Sequence, residues 1–314
     1  MANRVDSSGE MNPMSSPRRS QADPLRQATT TLIRWRAGVA SASEDELAVE
    51  EPLEIRLRVD ENPPVTETIA VIMRTPGADE ELAVGFLYSE GLLASADELR
   101  AVSAGQDVDG LPSPNLLDII PMSKAGIAER LRAGGVSRAF AVNASCGVCG
   151  RNSIAAVCAA FPPLAAHMPL TTASKLAILP DQLRVGQRVF SSTGGLHAAG
   201  LFAPDGTLIA LREDVGRHNA VDKLIGRALL DHALPLAQTM LLVSGRLSFE
   251  IVQKVVAAGI PLVAAVSAPS SLAVDLARET GVTLVAFLRG ASMNIYTHPA
   301  RIFADGDVKS STAR

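Results

Sequence analysis

The second half of the chain alternates between short apolar runs and segments whose apolar residues recur at helical spacing. Four apolar runs have the length of buried strands, at 208–211, 239–243, 260–266 and 282–287. Three segments between them predict amphipathic helices, at 221–229, 251–256 and 272–280. Strands that are apolar throughout and alternate with helices are typical of a mainly parallel sheet covered by helices on both faces. The pattern therefore predicts an α/β fold for this half.

In the first half of the chain, apolar and polar residues alternate with the two-residue period of a strand that has one exposed face. Two segments that alternate apolar and polar residues predict the strands of a hairpin, at 52–59 and 66–73. Asp79, Glu80 and Glu81 favour the start of a helix, because the helix dipole attracts negative charge there, and Gly91 can end that helix. This half is predicted to be a smaller α+β domain whose pattern is less regular through 95–135.

Polar segments at both ends lack a periodic apolar face and predict disordered tails, at 1–28 and 306–314. The chain between them divides into an N-terminal α+β domain, a cysteine loop with a connecting helix, and a C-terminal domain, at 29–145, 146–168 and 169–305. In the connecting helix Ile154, Val157, Cys158 and Phe161 lie at helical spacing, so Cys158 is predicted to be a buried core residue.

Charge and composition exclude several classes of function. The net charge is −4 and the pI is near 5.8, which argues against a nucleic-acid-binding surface as the main function. No apolar stretch has the length of a membrane span, so no membrane partner is expected. Arg18-Arg19 is the only hint of an export signal, and no apolar segment follows it. Three cysteines in 314 residues do not form a disulfide framework, which predicts a reducing, cytoplasmic setting.

Three of the predicted strands end in small or basic residues, namely Gly245-Arg246, Ser267-Ala268 and Arg289-Gly290. Ligands of open α/β sheets lie beyond the carboxyl ends of the strands. Glycine lets backbone N–H groups approach a ligand, and arginine can donate two bonds to a phosphate. The pattern leaves two interpretations open, an anion-binding site and ordinary turns with exposed arginines.

The chemistry is expected to start at residues 145–150 (SCGVCG), which hold Cys146 and Cys149 in one C-x-x-C. Such a pair can contribute to a structural zinc site, act as a dithiol redox switch, carry sulfur as a persulfide, or be an inert surface pair. Zinc needs about four ligands, and there is no second C-x-x-C and no H-x-x-x-H. A glycine after each thiol suits a carrier loop that must move between donor and acceptor.

Four segments in order carry a resemblance to the FdhD family, the sulfurtransferase accessory proteins of formate dehydrogenase. They are 145–150 (SCGVCG), 194–200 (GGLHAAG), 213–223 (EDVGRHNAVDK) and 293–297 (MNIYT). The upstream segments 51–55 and 82–87 also resemble the family, and the resemblance covers about residues 48–304. Four long motifs in one order are far more specific than a C-x-x-C alone.

The resemblance implies a sulfurtransferase function. A cysteine desulfurase would load sulfur onto Cys146 as a persulfide, with Cys149 as the assisting thiol. The acceptor would be the bis-molybdopterin guanine dinucleotide form of the molybdenum cofactor, bound by the segment after the last strand, which is Phe287, Leu288, Arg289, Gly290, Ala291 and Ser292. The partners would be the desulfurase and the catalytic subunit of formate dehydrogenase, and a homodimer is the default assembly.

Two other functions stay open beside this one. The first is a non-enzymatic chaperone that binds the molybdenum cofactor and hands it over. The second is a thiol–disulfide oxidoreductase. It ranks last of the three functions, because the elements around the C-x-x-C do not have the thioredoxin-like order.

The resemblance also implies that the C-terminal domain is a three-layer α/β/α domain similar to the cytidine-deaminase fold. Enzymes of that fold hold zinc with H-x-E and P-C-x-x-C motifs. Here His197 is followed by Ala198 and Ala199, and the later strand–helix junction at 244–248 has no cysteine. Deaminase chemistry is therefore excluded, no structural metal is expected, and His197 is expected to pack or to contact a ligand. Arg217 and Arg246 are further candidates for ligand contact.

Overall fold

The computed structural model of the chain describes residues 18–19, 23–59, 65–123, 126–127, 130, 153–164 and 170–304. Cys146 and Cys149 lie outside the described residues, as do the predicted C-terminal tail and most of the predicted cysteine loop. The described residues form four β-sheets and a set of helices that pack on the two largest.

The largest sheet has six strands and belongs to the second half of the chain. In spatial order they are β10 (Leu208–Asp214), β9 (His197–Phe202), β11 (Met240–Val243), β12 (Leu262–Ala265), β13 (Thr283–Arg289) and β14 (Ser292–Ile295). β11, β12 and β13 are parallel neighbours, and the other three pairings are antiparallel. The prediction of a mainly parallel sheet is therefore right for these three central strands and wrong for the whole sheet. Short turns join β9 to β10 and β13 to β14, and only antiparallel strands can be joined so closely.

Helices cover both faces of this sheet, as the apolar strands predict. One face carries α3 (Ala173–Gly186), and the other carries helices that lie at 154–160, 217–230, 249–257 and 271–280. We call these four helices α2, α5, α6 and α7. In β11 the side chains of Leu241 and Val243 point into one core, and those of Met240 and Leu242 point into the other. Because side chains alternate between the two faces of a strand, the same sheet contributes to two hydrophobic cores. The predicted arrangement of helices on both faces of the sheet is confirmed.

The predicted helix α2 (Ile154–Ala160) is confirmed, but Cys158 is only half-buried. Val157 is the residue of α2 that is fully buried in the core, with Ile154 and Phe161 packed against the same core. Because the helix is only seven residues long and its buried face is centred on Val157, Cys158 lies at the border of that face. The prediction that Cys158 is fully buried in the core is therefore wrong, because its side chain is partly exposed.

The second sheet has four strands and belongs to the first half of the chain. Their order is β5 (Val65–Arg74), β4 (Glu51–Val59), β7 (Pro112–Pro121) and β6 (Leu99–Gln106). β4 and β5 form the predicted hairpin, with Leu53 opposite Ile72. The predicted helix follows as α1 (Asp79–Ser89), and Gly91 comes shortly after its end with φ of 68°.

Helix α1 joins the two halves, because it packs on the four-stranded sheet and crosses α5 (Arg217–Leu230) on its other side. A Cβ atom at Gly85 would lie 1.9 Å from the carbonyl oxygen of Asp222. A Cβ atom at Gly226 would lie 1.8 Å from the carbonyl oxygen of Glu81. The two helix backbones are therefore in direct contact, which only glycine permits at these positions.

Sequence reasoning missed a long hairpin near the N terminus. It is formed by β2 (Gln27–Arg36) and β3 (Val39–Ala48), and the short strand β1 (Arg18–Arg19) pairs with the first residues of β2. The prediction of a structureless tail at 1–28 is therefore wrong for Arg18–Arg19 and for residues 23–28. A short helix α4 (Arg188–Thr193) and the two-stranded pair β8 (Thr171–Thr172) and β15 (Ile302–Phe303) complete the fold.

Candidate functional site

Several loops meet at one edge of the six-stranded sheet. β11, β12 and β13 are parallel neighbours, so their carboxyl ends lie side by side. β9 is antiparallel to β11, so it begins at the same edge with His197. The segments 244–248, 266–270 and 287–291 therefore lie together, and the predicted grouping of strand ends is confirmed. We call this region the carboxyl edge.

Backbone bonds tie the three loops of the carboxyl edge to each other. The amide of Leu247 donates to the carbonyl of Ala268 at 3.1 Å, and the amide of Ser270 donates to the carbonyl of Leu247 at 2.9 Å. The amide of Phe287 donates to the carbonyl of Ser267 at 3.2 Å. The loops form one connected surface, so a ligand that touches one loop can touch its neighbours.

The segment predicted to bind the cofactor lies at the end of this edge, where β13 turns into β14. Phe287 is in the left-handed region with φ of 52° and its side chain is 38% exposed. Gly290 has the same φ of 52° at the turn, and Ala291 and Ser292 are exposed. Leu288 differs from these residues, because its side chain is fully buried in the core and only its backbone is left for a ligand. Arg289 is exposed, and its Nε donates to the carbonyl of Val266 at 3.2 Å.

At the middle of the edge, His197, Arg217 and Arg246 surround Gly245. A Cβ atom at Gly245 would lie 3.4 Å from Nδ1 of His197 and 3.6 Å from Cδ of Arg217. Burial lowers the pKa of His197, and the charges of Arg217 and Arg246 lower it further, while Asp214 opposes them. The imidazole is therefore neutral at neutral pH, and the positive charge of the cluster resides on the arginines.

Arg217 and Arg246 carry charge that no described residue neutralises in an ion pair. Neither side chain makes a hydrogen bond or an ion pair with any residue that the structure describes, and Nε of Arg217 is buried without a partner. Arg246 is exposed. Arginine is suited to bidentate contacts with phosphate and carboxylate groups. This part of the edge can therefore bind an anion.

His218 lies beside this cluster at the start of α5. Its Nε2 is 3.1 Å from Oγ of Ser248 and 3.9 Å from a carboxylate oxygen of Glu250. Burial, aided by the charges of Lys254 and Arg217, lowers the pKa of His218 to about 4. His218 is thus neutral at pH 7 and can exchange a hydrogen bond with Ser248 without adding charge.

Asp214 fixes the position of the helix that carries Arg217 and His218. It is fully buried and accepts bonds from the amide of Gly216 and from the side chain of Asn219, both at 2.8 Å. Nζ of Lys223 is 2.7 Å from the same carboxylate, and the amide of Thr75 donates to it at 3.2 Å. A residue of the N-terminal half thus helps to hold the start of α5 at the carboxyl edge.

Sequence reasoning did not assign Asp214 and Lys223 a role, although both stand in the motif 213–223. An aspartate two residues before a glycine is a recognisable signal for an Asx turn, in which the carboxylate accepts from the amide of that glycine. No comparable signal in the sequence identifies Ser248 as the neighbour of His218, because 30 residues separate them.

The cysteine pair lies outside the described residues, and the first described element after it is α2. The helix α2 begins after Ser153, whose side chain accepts from the amide of Ala156 at 3.2 Å. The predicted roles of Cys146 and Cys149 stay predictions. Among the described residues, no group of three or more His, Cys, Asp and Glu side chains could hold a metal ion.

Comparison with known proteins gives a consistent result. A model of the FdhD/NarQ family matches residues 48–303. The chain is 52% identical over 275 residues to the sulfur carrier protein FdhD of Streptomyces coelicolor, covering 86% of this chain and 94% of that protein. It is 51% identical over 264 residues to the protein of that name from Mycobacterium tuberculosis, covering 82% and 91%.

A more distant relative of the same name, from Saccharolobus solfataricus, is 42% identical over 272 residues and covers 87% of this chain and 96% of its own. The structure is similar to that of a candidate formate dehydrogenase accessory protein from Desulfotalea psychrophila, with a TM-score of 0.66 and 25% identity. That match covers 88% of this chain and 100% of the other. In the part of the chain that the structure describes, no helix is both long and apolar enough to cross a membrane.

Proposed function

The chain belongs to the FdhD/NarQ family, and from this premise we propose that it is a sulfurtransferase that serves formate dehydrogenase. It takes sulfur from a cysteine desulfurase as a persulfide on Cys146 and delivers it to the bis-molybdopterin guanine dinucleotide cofactor. The observation that carries the proposal is that a chain of this family combines the Cys146–Cys149 pair with an arginine-rich carboxyl edge.

The transfer needs two nucleophilic steps at sulfur. In the first, the Cys146 thiolate attacks the terminal sulfur of the donor persulfide, so that a new S–S bond forms on Cys146 and the donor cysteine leaves as a thiolate. In the second, the Cys149 thiolate attacks Sγ of Cys146 and the terminal sulfur leaves as sulfide, which the bound molybdenum accepts. Cys146 and Cys149 end as a disulfide, which a cellular dithiol reduces before the next cycle.

The acceptor is a substrate with two phosphate-rich nucleotide arms, and the carboxyl edge offers groups that suit them. Arg217 and Arg246 carry positive charge without an internal counter-ion among the described residues. The helices α6 (Phe249–Ala257) and α7 (Ser271–Thr280) begin at this edge, and helix N-termini favour negative charge. We infer that these groups hold the phosphates, and that the segment 287–292 contacts the adjoining part of the nucleotide.

The three layers and the order of strands β10, β9, β11, β12 and β13 support a relation to the cytidine-deaminase fold, which we propose as the origin of the C-terminal half. Its chemistry has been replaced. Ala199 stands where the acid of the H-x-E motif would be, and it is fully buried in β9. Position 199 therefore supplies no carboxylate that could act as the deaminase proton donor.

The decisive experiment is intact mass spectrometry after incubation with a cysteine desulfurase and cysteine. The wild-type protein should gain the mass of one sulfur, and a reductant should remove it. The variant Cys146→Ala should gain none, whereas the matched control Cys158→Ala should behave as the wild type. Absence of the added mass in the wild type would contradict the sulfurtransferase proposal.

Arg217 and Arg246, which form no ion pair among the described residues, also support a second candidate function. It is a chaperone that binds the guanine dinucleotide cofactor and hands it over without carrying sulfur. Under this alternative Cys146→Ala leaves formate dehydrogenase activity intact in cells, while Arg246→Ala or Arg289→Ala abolishes it. Under the sulfurtransferase proposal all of these variants lose the activity. The response of Cys146→Ala therefore decides between the two functions.

A further inference from the structure

A cavity of about 340 Å³ lies between the two halves of the chain, and the proposed sulfur transfer does not use it. Its lining from the N-terminal half includes Arg26, Gly77 and Ala78. The lining from the C-terminal half comes from the end of α3, the start of α4, strand β10 and helix α5. The volume lies within the range of small-molecule sites. We call it the interdomain cavity.

Cations outnumber anions in the lining of the interdomain cavity. Arg26, Arg188, Arg212 and Lys223 line it together with the carboxylate of Glu213. The two oxygens of that carboxylate accept hydrogen bonds from the first amides of α4, at 2.8 and 3.1 Å. The one lining carboxylate is therefore held against α4, and the lining carries an excess of positive charge.

Two of the four cations have ion-pair partners inside the protein. Nε and Nη2 of Arg212 donate to the two carboxylate oxygens of Glu81 at 2.6 and 2.7 Å. Nζ of Lys223 is 2.7 Å from Asp214 and donates to the carbonyl of Thr75 at 2.9 Å. An ammonium group has three N–H donors. One donor of this nearly fully buried lysine is thus left at the wall of the cavity.

The charges of Arg26 and Arg188 are the least satisfied in the lining. Arg188 is exposed, and its side chain makes no hydrogen bond or ion pair with any residue that the structure describes. Nη2 of Arg26 is 4.0 Å from the carboxylate of Glu213 and 3.4 Å from its carbonyl oxygen, which are long contacts. Burial lowers the pKa of Lys223, and the charge of Arg26 lowers it further, while Asp214 opposes them. An anion in the cavity would relieve the repulsion between these cations.

The backbone of the N-terminal half offers further donors to the cavity. Gly77 has φ of 102°, and Ala78 begins α1 without a side-chain cap. The amides of Gly77 and Ala78 donate to no residue that the structure describes. Among the acidic residues of the first turn, Asp79 and Glu81 are bonded to arginines, and Glu80 does not line the cavity. The free amides at the start of α1 are therefore available to an anion.

We propose that the interdomain cavity binds a small organic phosphate, with the phosphate group held between Arg26 and Arg188. Guanidinium groups donate paired hydrogen bonds to phosphate oxygens, and an ammonium group adds a point charge. A phosphate monoester has three terminal oxygens to accept these donors, whereas a carboxylate has two. The volume leaves room for an organic group beside the phosphate.

The interdomain cavity is separate from the site proposed for the cofactor. β10 is the outermost strand of its sheet, and four strand spacings separate it from β13, roughly 19 Å. The described lining of the cavity includes neither Arg217 nor Arg246, and no residue of the segment 287–292. The inference therefore goes beyond the proposed function and does not depend on it.

A ligand in this cavity would contact both halves of the chain, because Gly77 and Ala78 belong to one half and Arg188 belongs to the other. A molecule that binds only the folded chain stabilises it. The temperature of thermal unfolding should therefore rise with the concentration of glycerol 3-phosphate, measured against chloride at the same ionic strength. An unchanged transition in the wild-type protein would contradict binding.

Modification of arginines by phenylglyoxal gives a test at the level of single residues. The full-length protein is treated with the reagent, and the modified arginines are identified by peptide mass spectrometry. Guanosine diphosphate is present to fill the carboxyl edge, and glycerol 3-phosphate or inorganic phosphate is added at millimolar concentration. Either phosphate should slow the modification of Arg188 several-fold and leave that of Arg184 unchanged.

Two results of this experiment would overturn the proposal. The first is a rate of modification at Arg188 that neither glycerol 3-phosphate nor inorganic phosphate changes. The second is protection of Arg188 by guanosine diphosphate alone, with no further protection by the small phosphates, which would assign the cavity to the cofactor. If guanosine diphosphate fails to protect Arg246, the proposed cofactor site is wrong, but protection of Arg188 by glycerol 3-phosphate is still expected.

The variant Arg188→Ala tests the contact itself. It removes a side chain without an internal partner among the described residues, so it should unfold as the wild type does. Its affinity for glycerol 3-phosphate, measured by calorimetry with guanosine diphosphate present, should fall about tenfold. The matched control is Arg184→Ala, because Arg184 is also exposed but lies over the ring of Phe190 at 4.4 Å and does not line the cavity. Equal losses in the two variants would attribute binding to general surface charge and contradict the site.

Discussion

The interface between α1 and α5 and the carboxyl edge of the six-stranded sheet are both rich in charge, but they use it in opposite ways. At the interface Lys223 is buried against Asp214 at 2.7 Å, and Lys254 is buried against Asp222 at 2.9 Å. Each buried cation there has an anion. At the carboxyl edge Arg217 has no ion pair among the described residues, and His218 is neutral.

The paired lysines at the interface stabilise the fold, whereas the charge of Arg217 is available to a ligand. A buried charge without a partner is costly, so charges that only hold a fold together are paired. An arginine left unpaired next to two neutral histidines is instead consistent with a site whose counter-ion arrives with the ligand. The comparison predicts that substitutions at the interface change stability, and that substitutions at the edge change binding.

The largest effect is expected from Lys223→Met, which removes the cation and leaves Asp214 buried without its ion pair. Breaking a buried pair in this way should cost about 3–5 kcal/mol of the free energy of unfolding. Urea denaturation measures it. The matched control is Arg227→Ala, which removes the exposed pair with Asp231 and should leave the transition unchanged. Equal effects of the two substitutions would contradict the assignment of Lys223 and Asp214 as a structural buried pair.

The next effect is expected from Gly226→Ala at the crossing of α1 and α5. The new methyl group would lie 1.8 Å from the backbone oxygen of Glu81, so the helices must move apart. We expect a loss of about 3 kcal/mol, measured by thermal unfolding. Gly186→Ala is the control, because there the methyl group meets the flexible end of Leu211, 2.7 Å away. A neutral Gly226→Ala would show that the crossing is looser than the contact distances indicate.

The third largest effect is the pH dependence of stability that His218 contributes. The pKa of His218 is lowered to about 4 in the folded protein and returns to about 6.5 on unfolding. Between these values the unfolded chain binds more protons, so stability falls as pH drops. The free energy of unfolding should decrease by at most about 3 kcal/mol from pH 6.5 to 4 on account of this group.

In the variant His218→Gln this part of the pH dependence should disappear. The exposed His232 provides the control, since His232→Gln should keep the wild-type slope. Urea denaturation at each pH measures both variants. A slope that is the same in wild type and His218→Gln would contradict a buried neutral imidazole at this position.

The smallest effect on stability is expected at the carboxyl edge. Arg246→Ala removes an exposed side chain without an internal partner and should change the free energy of unfolding by less than about 0.5 kcal/mol. Its affinity for guanosine diphosphate, measured by calorimetry, should nevertheless fall about tenfold or more, since a charged contact to phosphate is lost. Arg278→Ala, in the last turn of α7 and thus at the end of that helix away from the edge, should bind as the wild type. Unchanged binding in Arg246→Ala would remove the arginine from the site.

Local patterns in the sequence were sufficient for the elements that build the sheets. The alternation at 52–59 and the apolar runs at 239–243 and 260–266 predicted β4, β11 and β12, because side-chain periodicity depends only on which faces are buried. The same patterns failed for β2 and β3, whose residues are mostly exposed. A hairpin without a buried face has no apolar period to detect.

The cysteine pair, the family motifs and the strand ends with glycine and arginine could all be identified from the sequence, because each is a short stretch whose residue types carry the chemistry. The tertiary structure alone decided that His197, Arg217 and Arg246 converge around Gly245, and that Lys223 rather than an arginine neutralises Asp214. These contacts join residues far apart in the chain, and their partners depend on strand order and helix crossing. Pairing of charges is a property of three-dimensional proximity, which no local period encodes.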